Sequence, residues 1–254
     1  GMAEVAETVG TKRASGAVDW GGLQKTMEDV CRATKRYRRS LGAEPPAPAA
    51  AKEAQPTAPS EGGRVVFAER KAGKKALRAA HGRRLLVADV SPAGAFRELH
   101  PSFPVSGVPV PGSKRTAVSV LGVVEGLKVF EREDVCVDSM IEASMKGIVR
   151  SPNNAGAFLG YRLGLGKRHP VVGEREGRYK VYMECYKHVL ANSPYAKEKV
   201  AELATALEEG KTVVLLDNVV PSISRWDDLS GPLTHTLLLK LFLEDQWPSW
   251  TKAF

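Results

Sequence analysis

The stretch from Thr116 to Glu131, TAVSVLGVVEGLKVFE, is apolar on nearly every side of a helical wheel. Between Thr116 and Phe130 its only charges are Glu125 and Lys128. A helix that is apolar all round is buried, so the rest of the chain has to build a core around this segment. Two charges within such a core are costly unless they pair with each other or with a ligand. The i, i+3 spacing puts both on one helical face. Three readings follow: a structural ion pair, a lysine whose stem reaches the surface, or a desolvated lysine beside a carboxylate able to do chemistry.

Bulk properties narrow the class. With 254 residues and 43% hydrophobic content, a sizeable core is available. No run approaches the about 18 to 20 apolar residues of a membrane span, and the N-terminus carries no secretory pattern. Cys31, Cys136 and Cys185 are scattered and form no CxxC or CxxH pair. That spacing argues against structural zinc and for a reducing compartment, the cytoplasm or an organelle matrix. No metal, cofactor or membrane partner is expected.

The net charge of +8 is unevenly placed. Residues 64–90 hold eight basic and two acidic side chains, while the flanking regions are close to neutral. A second dense run contains Arg32, Lys35, Arg36, Arg38 and Arg39. Such runs are either solvated faces or phosphate contacts. On the second reading Arg36, Arg38, Arg39, Lys71, Lys74 and Lys75 would touch nucleic acid.

The chain divides at a Pro/Ala-rich linker, residues 43–63. Before it come a disordered tail, 1–18, and a basic amphipathic helix, 19–42, capped by Asp19 and stopped by Gly42. The folded domain runs from 64 to 254. RVVFAE (64–69), RLLVADV (84–90) and KTVVLLD (211–217) read as strands, with a basic helix or turn between the first two. Ser91 to Gly112 is an apolar, proline-rich loop. The run 116–131 reads as the buried helix, and Ser151-Pro152 opens another through NNAGAFLGYRLG. Arg178 to Ala191 is an amphipathic helix in which Tyr179, Tyr182 and Tyr186 recur as core or interface residues. Ser193-Pro194 opens a helix ending near Glu209, and LTHTLLLKLFLEDQ is the last. The expected fold is α+β and mostly helical, with helices packed around a small sheet and a flexible N-terminal arm.

Other polar residues sit at informative places. Asp217 ends an apolar strand, where it either builds a site or caps a turn. His235 lies in the first turn of a leucine-rich helix, where it either faces an anion drawn to the helix N-terminus or is a satisfied, half-buried histidine. Arg162 is placed either to grip a phosphate or carboxylate or to pair with a core acid. GYRLGLGKRH (160–169) has glycines beside basic residues but lacks the P-loop spacing.

From about Leu85 to Trp250, several segments recur in a telling order: GVPVP, SVLGVVEGLKVFE, SMKGIVR, LGYRLG, the tyrosine-rich helix, TVVLLD, DLSGPLTH and LEDQWP. This order resembles a family of uncharacterised bacterial proteins. That family in turn resembles, more distantly, the NADAR (YbiA-like) superfamily of N-glycosidases acting on ribosylated metabolites. The resemblance implies an N-glycosidase-like domain that binds or hydrolyses a ribosylated nucleotide-type metabolite. Lys128, Glu125 and Asp217 would then be catalytic, with Arg162, His235, Asp228 and Trp226 binding substrate. Glu125 stands where the superfamily carries glutamine, and its tryptophan-glycine and asparagine-leucine-glycine elements are absent. These departures, with the basic runs, motivate an alternative. In it, a decayed enzyme fold serves as a non-enzymatic subunit of a larger, ribonucleoprotein assembly, contacting RNA through residues 19–84.

Overall fold

The computed structural model describes residues 63–150 and 155–250. The expected tail, basic helix and linker, and with them Arg36, Arg38 and Arg39, lie outside the described residues. Within them the chain runs β1 (Arg64–Glu69), α1 (Lys74–His81), β2 (Leu85–Asp89), a 3-10 turn (Arg97–Leu99), β3 (Val108–Pro109), β4 (Thr116–Ala117), α2 (Val120–Leu127), β5 (Lys128–Phe130) and α3 (Val137–Ile141). There follow β6 (Phe158–Arg162), β7 (Val171–Val172) and α4. The last is a helical stretch in three parts, Glu174–Gly177, a π-helical Arg178–Met183, and Glu184–Asn192. The order closes with α5 (Pro194–Glu208), β8 (Thr212–Asp217) and α6 (His235–Leu243). The described residues thus form an α+β domain of helices packed with small sheets.

The main sheet has the order β1-β8-β2, all parallel. TVVLLD takes the centre because it is apolar on both faces, as central parallel strands are. Its side chains alternate. Val214 and Leu216 join Leu77 of α1 under one face. Val213 and Leu215 join the main core under the other, with Leu203 and Ala206 of α5 and Leu238 and Leu239 of α6. Burying each such leucine contributes about 2 kcal/mol. Among the described residues no helix is long and apolar enough to cross a membrane.

The apolar run at 116–131 is a shorter helix than expected. Thr116 and Ala117 pair with Pro109 and Val108. Ser119 then caps α2, its Oγ accepting the Gly122 N–H at 3.0 Å. The helix stops at Leu127, where the backbone turns extended and Lys128, Val129 and Phe130 pair with β6. Gly122 and Gly126 leave room for α3: a Cβ at Gly126 would stand 2.6 Å from the Met140 side chain, and one at Gly122 2.6 Å from the Ser139 carbonyl oxygen.

The helix expected through GAFLGYRLG is also corrected. Residues 151–154 lie outside the described residues, and Phe158–Arg162 is the strand β6. Gly160 sits at φ 138°, incompatible with a helix, and its missing side chain leaves room for the Val172 carbonyl of β7. The remaining expected strands and helices are present within a residue or a few of their boundaries.

Candidate functional site

Glu125 and Lys128 meet at the end of α2. Because the chain turns there, Lys128 begins a strand, yet its Nζ still reaches back to donate to Glu125 Oε1 at 2.5 Å. The lysine side chain is 22% exposed and the glutamate 5%, so the pair is buried at its acidic end and open at its basic end. The other carboxylate oxygen accepts the Arg150 N–H at 3.1 Å.

Arg150 holds this corner together. Its Nη1 donates to the Lys128 carbonyl at 2.7 Å, its Nη2 to Glu133 Oε2 at 2.8 Å and to the Asp134 carbonyl at 3.0 Å. Its guanidinium lies 5.0 Å from the Phe130 ring centroid. A cation among the last carbonyls of α2 also suits the helix dipole.

Across the β5–β6 ladder, Lys128 is in register with Tyr161. The Tyr161 phenol is pushed up to about 12, chiefly by burial and in part by the charges of Glu125 and Glu174. Its ring lies on Gly177 of α4, where a Cβ would stand 2.0 Å from it. Tyr182 of the π-helical stretch is next. Burial pushes its phenol up, with the Asp217 charge and Tyr161 adding to the effect. Such stretches recur at functional sites.

Asp217 begins a second cluster at the C-terminal end of the central strand, the edge where parallel sheets place their ligands. Burial raises its carboxyl above the usual carboxylate range; the neighbouring Asp89 adds to this, while the Asn218 and Val219 N–H groups and His100 oppose it. His235 Nδ1 lies 3.7 Å from Asp217 Oδ2. The His235 ring meets that of His100 edge to face, centroids 4.8 Å apart. His100 Nδ1 accepts the Ser102 N–H at 3.2 Å and its hydroxyl at 2.7 Å, which places the ring proton on Nε2. His235 Nε2 is buried with no hydrogen-bond partner among the described residues. Tyr161 thus feels the charge of Glu125, and Tyr182 that of Asp217.

Both histidines are held neutral. Burial pushes each down to about 4, and for His100 the neighbouring His235 adds to this while Asp217 opposes it. The unfolded chain takes up these protons near 6.5, so it binds more of them than the folded chain between about 6.5 and 4. Stability is therefore complete above that window and falls as pH drops through it. The His235 ring alone contributes a loss of about 2 kcal/mol between about pH 7 and about pH 5. Asp217, raised by burial, offsets part of this at the acid end. Urea midpoints at the two pH values check it: wild type is expected to shift markedly and His235→Gln, which keeps His100, about half as much. Equal shifts in the two proteins would contradict it.

The other expected site residues are bound elsewhere. Arg162 grips Asp134 with two hydrogen bonds, of 2.8 and 3.1 Å, and donates to the carbonyls of Lys167 and His169. Trp226 is buried in a cluster with Tyr179 and Trp250, and Arg175 lies over its ring. Asp228 accepts the Ser230 N–H, and its carbonyl accepts Nη1 of Arg178. Lys71, Lys74 and Lys75 are exposed around the start of α1, Lys71 beside Glu69. The Cys185 thiol, pushed up by burial, donates to the Pro109 carbonyl. Among the described residues no group of three or more His, Cys, Asp or Glu side chains is disposed to hold a metal ion.

Arg150, Tyr161, Tyr182 and His100 belong to these clusters and were not singled out in the sequence as site residues. Tyr161 had the clearest signal, standing beside Arg162 in LGYRLG. His100, in an irregular proline-rich loop, had none.

The chain matches the model of a family of unknown function (DUF6939) over residues 69–239. The chain belongs to that family. The matched region contains every residue of the two clusters. No curated protein and no solved structure matches the chain.

Proposed function

We propose that this DUF6939 domain is an N-glycosidase-like domain, in the manner of the NADAR superfamily, that binds or hydrolyses a ribosylated nucleotide-type metabolite. The observation that carries the reading is the Glu125–Lys128 pair: a buried carboxylate 2.5 Å from an ammonium that stays partly open to solvent. Breaking a C1′–N bond develops positive charge on the sugar, which a buried carboxylate stabilises. As the bond breaks, its electron pair leaves with the nitrogen. Glu125 takes a proton from the attacking water, whose oxygen bonds to C1′. Lys128 protonates the departing nitrogen and is restored by the proton on Glu125. Tyr161, in register with Lys128, would supply a hydrogen-bonding group beside the pair, with Asp217 and His235 completing the set.

The test is incubation of the full chain with ADP-ribose and riboflavin-pathway intermediates, followed by chromatography of the products. Lys128→Ala is expected to retain its fold and lose at least about 100-fold of the turnover. Wild type and variant giving the same baseline across all candidates would refute the enzymatic reading.

A non-enzymatic role in a ribonucleoprotein assembly is the second reading. One observation favours it: both oxygens of Glu125, and the polar groups of Arg162, are already engaged within the chain. RNA affinity through Lys71, Lys74 and Lys75, falling steeply with salt, would distinguish it.

A further inference from the structure

On the surface beyond β6 lies an open groove of about 890 Å³, lined by Gly112, Ser113 and Lys114 on one side and by residues Leu165 to His169 on the other. Its lining includes Lys114, Lys167, Arg168 and His169, and neither a carboxylate nor an aromatic ring of Phe, Tyr or Trp. The three permanent cations are exposed and, among the described residues, none forms a salt bridge; Asp134, gripped by Arg162, also feels the Lys167 charge. Concentrating like charges around a concavity is unfavourable in the free protein, and an anion relieves it.

Both walls are built rather than loose. On one, Val110 and Arg115 are joined by a backbone hydrogen bond of 3.2 Å, Ser113 N–H donates back to the Val110 carbonyl, and the Ser113 hydroxyl accepts the Arg115 N–H. On the other, Leu163 N–H bonds the Pro170 carbonyl at 3.0 Å and His169 N–H the Gly166 carbonyl at 2.9 Å. Arg162 fixes this second wall by donating to the carbonyls of Lys167 and His169. The walls meet because glycines let them. A Cβ at Gly112, which sits at φ 64°, would stand 2.3 Å from the Leu163 carbonyl oxygen and 3.2 Å from His169 Nδ1. A Cβ at Gly164 would strike the same imidazole at 2.4 Å.

We propose that this groove binds the phosphate groups of a nucleotide or of a polynucleotide backbone. Phosphate fits better than other anions because two ammonium groups and a guanidinium fork together match a ligand with several closely spaced charges. The lining has no aromatic ring on which a base would stack, so recognition is of phosphates rather than bases. The site is distinct from the Glu125–Lys128 pair and does not depend on turnover there. Arg162 thus acts on an anion indirectly, by holding the loop that carries Lys167 and Arg168.

Direct binding by the full chain tests this separately from any glycosidase activity. The probes are inorganic tripolyphosphate, ADP and a short labelled RNA, each titrated at about 50 and about 200 mM salt, with polyglutamate as a competing polyanion. Wild type is expected to bind at least one phosphate probe. A triple variant, Lys114→Ala, Lys167→Ala and Arg168→Ala, is expected to lose at least about tenfold and, for single-stranded RNA, to flatten the salt slope by up to about two. Thermal unfolding of the variant verifies that it folds, and Arg132→Ala, Lys146→Ala, Lys197→Ala, three exposed cations away from the groove, serves as a charge-matched control that keeps binding. ADP or tripolyphosphate alone identifies a nucleotide ligand; RNA binding well above both identifies a backbone. Three results would overturn the proposal: no phosphate probe binding, unchanged binding by the triple variant, or polyglutamate binding as tightly as the phosphates.

Discussion

Arg178→Met is expected to destabilise the domain by about 3 kcal/mol, read as a lower urea midpoint with an unchanged slope. The guanidinium, 8% exposed, donates twice to Glu174, at 2.7 and 3.2 Å, and to the carbonyls of Asp228 and Gly231 at 2.7 and 2.8 Å. It thereby ties the π-helical middle of α4 to the loop that delivers Thr234 and His235 to α6. Methionine keeps most of the volume and removes every donor, leaving two carbonyls partly buried and unsatisfied. Arg178→Lys is expected to recover only part of the loss, because one ammonium cannot match the planar fork across carboxylate and two carbonyls. A loss for Arg178→Met below about 1 kcal/mol would mean that water replaces the guanidinium and that the loop does not depend on it.

Glu125→Ala is expected to cost a similar amount, about 3 kcal/mol, by a different route. It strands the Lys128 ammonium and removes the acceptor of the Arg150 N–H. Glu125→Gln keeps the second of these contacts and is expected to cost about half as much. Replacing the pair together, as Glu125→Leu with Lys128→Met, is expected to regain much of the stability, since a matched apolar pair often equals a buried ion pair. The series also separates chemistry from architecture. On the glycosidase reading, Glu125→Gln loses turnover out of proportion to its modest loss of stability. A double variant less stable than Glu125→Ala would show that the ion pair itself, rather than the removal of an isolated charge, holds the end of α2.

Much of the scaffold could be read from the residues. TVVLLD announced a buried strand because its apolar run is short and β-branched, and Pro194 with Gly210 bracketed α5. The errors fell where local pattern is ambiguous. KVF extends the apolar run of VLGVVEGL without a break, and short apolar segments do not distinguish helix from strand. What ends α2 is the non-local pairing of Lys128 with Tyr161, which no spacing reveals. FLGYR was misread for a related reason: its strand identity rests on pairing with both β5 and β7. The candidate site was legible at Glu125, Lys128, Asp217 and His235 because each is a polar residue in an apolar context. Arg162, Trp226 and Asp228 carried similar signals yet serve the protein's own contacts. His100 and Tyr182 were invisible as site residues because only the fold brings them to Asp217.

The order of the main sheet bears on how the protein is made. β1 and β2 are synthesised early, with α1 between them, but neither pairs with the other. Each hydrogen-bonds only to β8, whose residues Thr212–Asp217 come late in the chain. On the ribosome both strands therefore wait, their backbone groups unmatched, until nearly the whole domain has emerged. Pairings between distant segments form slowly and leave strand edges open to other chains meanwhile. A truncation just before Lys211 would thus remove one strand from the sequence and the entire sheet from the molecule.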